Sequence, residues 1–118
     1  MSYLLVFLGG GLGSICRYAV ARALPAYEWP VATLLANMLS CIVLGALVAL
    51  AAREMVSLNY RLLLMTGFCG GFSTFSTFSY ETLVFLREGD FGLAALYVGL
   101  SLFAGLICLL LGLKIAGV

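Results

Sequence analysis

The chain is 118 residues long, 64% hydrophobic and 9% charged, with a formal net charge of +1. A soluble domain carries about 25% charged residues, so six Arg or Lys and five Asp or Glu cannot coat a water-facing surface. With no basic run either, the composition excludes a soluble enzyme and a nucleic-acid partner alike.

A helix that crosses a bilayer needs roughly 20 apolar residues, and the charges divide the chain into runs of about that length. Residues 3–21 are apolar apart from Arg17 and end before Arg22, Pro25 and Glu28. Residues 31–52 hold no charge and stop at Arg53-Glu54. Residues 62–86 lie between Arg61 and Arg87, with Glu81 inside, and residues 91–113 are uncharged and close at Lys114. The connections Arg22–Pro30, Arg53–Arg61 and Arg87–Asp90 are short. The pattern predicts an all-α, multi-pass membrane protein, with residues 1–118 forming one domain of four transmembrane helices. The first run has no basic leader and three similar runs follow it, so it reads as a span and not a cleavable signal.

Cys16, Cys41, Cys69 and Cys108 fall one to each predicted helix, without a CxxC pair or any histidine. They read as small apolar residues, not as metal ligands or disulfide partners. No acid pair and no serine–base pair is visible, so catalysis is not expected. Four passes put Arg53, Arg61 and Lys114 on one face of the membrane and Arg17, Arg22 and Arg87 on the other. The Lys/Arg excess that orients membrane proteins is therefore missing. Insertion in both orientations, with opposite copies paired as an antiparallel two-fold dimer, follows naturally. The alternative is a weak bias set by details other than these charges.

Three stretches are too polar or too glycine-rich for passive lipid-facing helix. In Gly9-Gly10-Gly11-Leu12-Gly13-Ser14, small residues recur at four-residue spacing, which lets helix backbones approach closely. Arg17 follows one turn later and has two readings: a side chain reaching the interface, or a structural charge holding carbonyls or a partner. In the second run, Asn37 stands among apolar residues with Ser40 close behind. A carboxamide in lipid must find partners; it is either interhelical glue or a donor to something that passes. The third stretch is Gly67-Phe68-Cys69-Gly70-Gly71-Phe72-Ser73-Thr74-Phe75-Ser76-Thr77-Phe78-Ser79. Paired glycines weaken a helix, which predicts a break at Gly70-Gly71, and five Ser or Thr occupy the seven positions from 73 to 79. Broken backbone at membrane depth survives only when buried in protein or lining a cavity. Hydroxyl and amide donors suit an anion, as do the positive edges of Phe72, Phe75 and Phe78. A small hydrated anion needs its lost water replaced by such close donors.

In these residues, together with Arg17-Tyr18 and Thr33-Leu34, the chain resembles the Fluc/CrcB family of fluoride channels. The resemblance runs from the first helix to the fourth. It implies a dual-topology antiparallel homodimer in the plasma (inner) membrane that exports fluoride passively and protects the cell from its toxicity. It further implies a structural sodium ion on the two-fold axis, held by main-chain carbonyls of Gly70 and Ser73 from both subunits. Phe75 and Phe78 would present ring edges to fluoride, and Asn37 its side-chain amide. Ser76 and Thr77, with Tyr97 and Ser101 on the fourth helix, would extend the polar track, and Arg17 matches the family's first-helix arginine. Ala32 departs from the family's usual Gly, and Ser73 stands where Thr is common. Two other classes remain: a small multidrug-type proton-coupled antiporter, which needs a first-helix carboxylate absent here, and a non-transporting membrane scaffold.

Overall fold

The computed structural model describes residues 1–24 and 29–117. Pro25 and Glu28, which bound the first connection in the sequence, lie outside the described residues. The fold is all-α. Helix α1 spans Ser2–Ala23 and α2 spans Val31–Ala52. Helix α3 covers residues 58–72, with a π-helical centre at Arg61–Cys69 between α-helical turns Leu58–Tyr60 and Gly70–Phe72. Helix α4 is Phe75–Arg87 and α5 is Phe91–Gly117. Helices α1, α2 and α5 are each long and apolar enough to cross a membrane.

The helix ends follow local chemistry. Leu24 leaves α1 in extended backbone (φ −101°, ψ 126°), as the residue before a proline prefers. Pro30 precedes the first turn of α2, where its missing N–H costs nothing. At the end of α4 the N–H of Asp90 donates to Phe85 O and that of Gly89 to Leu86 O. This six-to-one closure needs a left-handed residue, supplied by Gly89 at φ +79°. Arg61 ties the turn after α2 together, Nε donating to Val56 O and Nη2 to Ala51 O, both at 3.1 Å.

Glycines set the packing. A methyl group at Gly9 would strike Leu63 O, and one at Gly13 would strike Phe68 O. Residues four apart on α1 thus meet carbonyls five apart on α3, the spacing that a π-helix brings onto one side. From α3, Gly67 and Gly71 lie against the backbone of Gly9 and Gly10. Helices α2 and α5 pair likewise, Gly45 against Leu109 O and Gly112 against Ile42 O. The Gly70-Gly71 pair is therefore helical, and the break lies instead at Ser73 and Thr74, both extended. Gly71 serves close approach to α1; it does not end the helix.

The tightest core is aromatic. Tyr97 is 0% exposed, and its ring centroid lies 5.1 Å from Phe78, 5.9 Å from Phe85 and 6.1 Å from Trp29. Large apolar side chains such as Tyr3, Phe7, Phe103 and Ile115 are exposed on the protomer, an exterior suited to lipid. This is a multi-pass membrane protein.

Candidate functional site

The break between α3 and α4 organises the site. At the end of α3, Cys69 O collects three donors: Ser73 N at 3.0 Å, Ser73 Oγ at 2.8 Å and Ser40 Oγ at 3.1 Å. One turn before Ser40 on α2, Asn37 takes up both polar groups of the Thr74 backbone. Thr74 N donates to Asn37 Oδ1 at 2.7 Å, and Asn37 Nδ2 donates to Thr74 O at 3.2 Å. Thr74 then starts α4 as its N-cap, its Oγ1 accepting from Thr77 N at 3.2 Å. From α1, Arg17 Nε donates to Gly71 O at 3.0 Å. Every helix but α5 thus contributes to holding the break, and each contribution satisfies a group that lipid could not.

A cleft of about 350 Å³ opens beside the break. Asn37, Ser73, Thr74, Phe75, Phe78 and Ser101 supply its polar and aromatic lining. Met38, Cys41, Gly105 and Leu109 add an apolar side. Phe75 and Phe78 are neighbours at 5.9 Å between centroids, tilted by 44°. Ser101 Oγ is buried and has no hydrogen-bond partner among the described residues. It is a donor in waiting. Phe75 is 79% exposed on the protomer.

The residues singled out by sequence therefore separate into groups. Asn37, Phe75, Phe78 and Ser101 come together in the cleft, with Ser73. Ser76 and Thr77 sit in the first turn of α4, outside its lining, where Ser76 Oγ lies 3.4 Å from Thr74 Oγ1. Tyr97 is a turn deeper: its ring packs on Phe78 and its hydroxyl donates to Glu81 Oε1 at 2.9 Å. The other oxygen of Glu81, Oε2, accepts from Thr33 Oγ1 at 3.0 Å. Gly70 is exposed, with open space where a side chain would stand. Among the described residues no cluster of three or more metal-ligating side chains exists, so a cation here would depend on main-chain oxygen. Cys69 and Cys108 are buried, Cys41 is half-buried and Cys16 is exposed.

Sequence reasoning did not find Ser40 and Thr74 as partners of the break, nor the Thr33–Glu81–Tyr97 group. The one available signal was the position of Asn37 and Ser40 on one side of α2, a turn apart.

Comparison with known proteins agrees along nearly the whole chain. The profile of the family described as CrcB-like protein, Camphor Resistance (CrcB), matches residues 4–113. A Methylobacillus flagellatus protein named fluoride-specific ion channel FluC is 43% identical over 95% of this chain and 91% of its own length. Proteins of the same name from Pyrococcus furiosus and Chlorobaculum tepidum are 46% and 47% identical, over 95% and 96% of this chain and 93% and 92% of theirs. The chain belongs to the CrcB family.

Proposed function

We propose that this protein is a fluoride channel that lets fluoride leave the cell down its gradient. The cleft carries the reading. Its donors are the Asn37 amide and the unpartnered Ser101 hydroxyl, and its aromatic rings offer positive edges. Fluoride gives up tightly held water only where close donors replace it, and this lining offers donors without a carboxylate.

The working unit is an antiparallel homodimer of four-pass chains, with α3 and α4 making one broken crossing. The three-to-three distribution of Arg and Lys supports insertion in both orientations. The exposed Phe75 ring, beside hydroxyls that lipid disfavours, marks a face for the second copy. A sodium ion on the two-fold axis would be held by the carbonyls of Gly70 and Ser73 from both chains. The donor chemistry fits. The Thr74 and Thr77 amides, which would bond these two carbonyls in an unbroken helix, donate to Asn37 Oδ1 and Thr74 Oγ1 instead. Bound there, the ion would supply fixed positive charge near the anion path. Ser76, Thr77 and Tyr97 belong to that path through the α4 hydroxyls and the Phe78 contact, and Arg17 is a structural charge on the break.

A multidrug antiporter is less well supported: the intramembrane carboxyl of Glu81 is engaged by two hydroxyls and does not line the cleft. Expression in a fluoride-hypersensitive bacterium separates the classes. Growth at raised fluoride, without resistance to cationic drugs, is expected. Drug resistance without fluoride resistance would favour the antiporter, and neither would favour a scaffold.

A further inference from the structure

The carbonyls that end α3 are not equivalent. Cys69 O accepts from Ser40, Ser73 N and Ser73 Oγ, and Gly71 O accepts from Arg17 Nε. Gly70 O lies between them, and the two amides able to close on it are used elsewhere. Ser73 N donates to Cys69 O, and Thr74 N donates to Asn37 Oδ1 at 2.7 Å. Were Asn37 absent, the Thr74 amide would be left unpaired at membrane depth, which is costly. The acceptor it would have had in a regular helix is Gly70 O.

We propose that Asn37 is a positioning residue for the cation site: by taking the Thr74 amide, it keeps the Gly70 carbonyl free to bind sodium. One side chain then serves both sites, lining the anion cleft while exposing an oxygen of the cation cage. The second hydrogen bond, from Nδ2 to Thr74 O at 3.2 Å, fixes the carboxamide so that Oδ1 faces the amide. This role rests on the sodium reading proposed above, and the test keeps the two apart.

The measurement is the thermal midpoint of the purified full-length protein as sodium replaces a large organic cation at constant ionic strength. The wild type should gain stability as sodium rises. Asn37→Ala should need about tenfold more sodium or better for the same gain, roughly one hydrogen bond regained by the Gly70 carbonyl. If Asn37→Ala does not assemble, Asn37→Ser replaces it, because its short hydroxyl cannot reach Thr74, and the same loss is expected. A wild type indifferent to sodium would remove the cation reading and this role with it. A responsive wild type matched by an equally responsive Asn37→Ala or Asn37→Ser would overturn the role of Asn37 alone.

Discussion

Asn37 and Thr74 exchange two hydrogen bonds, amide to side-chain oxygen at 2.7 Å and side-chain nitrogen to carbonyl at 3.2 Å. The carboxamide thus acts as a missing stretch of backbone. It pairs the groups exposed by the break, and it does so from the wall of the cleft that holds Phe75, Phe78 and Ser101. The polar cost of breaking a helix and the donors an anion needs are met in one place.

The rings can be tested without disturbing the break. Phe75→Ile and Phe78→Ile keep bulk and lose the polar edge. Fluoride flux should fall by about tenfold or more in each, equivalent to roughly 1.4 kcal/mol on the barrier, with assembly unchanged on size-exclusion chromatography. Undiminished flux in both would make the rings packing residues only. Phe78→Ile should also lower the thermal midpoint slightly, because Phe78 packs on Tyr97 at 5.1 Å.

Close packing of α1 on α3 gives a second expectation. Gly9→Ala and Gly13→Ala place a methyl against the carbonyls of Leu63 and Phe68, and each should cost about 1–3 kcal/mol. Gly11 has open space on its side. Gly11→Ala should be neutral or stabilise by up to ~1 kcal/mol, since Ala favours helix. Equal effects at all three positions in denaturation would contradict this packing.

Gly70 separates effects within one chain from effects between chains. Nothing in the protomer opposes a side chain there, so Gly70→Val should leave secondary structure intact by circular dichroism. It should nevertheless weaken the sodium response and the flux, because the substituent stands beside the carbonyl proposed to face the cation. A variant with normal flux after prolonged sodium removal would argue against a cage at this position.

Orientation is the fourth test. Unmodified protein should label from both sides of the membrane, and two Lys added to the connection 53–61 should bias it to one. Activity lost in that variant should return on co-expression with an oppositely biased copy. Labelling of the unmodified protein from one side alone would contradict dual insertion.

Much of this arrangement is legible in sequence because membrane constraints are severe. The long apolar runs mark α1, α2 and α5, and the glycine spacing in α1 announces a close neighbour. The break is harder to place. Gly70-Gly71 suggests weakness by propensity, but Gly71 lies against Gly10 and is held in the helix by that contact. The chain opens where side chains can take over backbone hydrogen bonds, at Ser73 and Thr74, and that depends on Asn37 and Ser40 arriving from α2. Likewise, Tyr97 stands near Phe78 by fold alone, and its bond to Glu81 has no local sequence signature.

Efflux from liposomes carrying the purified protein tests the central claim most directly. With fluoride or chloride trapped inside and the membrane potential released by an ionophore, fluoride should leave rapidly while chloride stays. Matched loss of both anions, or retention of fluoride at the level of protein-free vesicles, would contradict a fluoride channel.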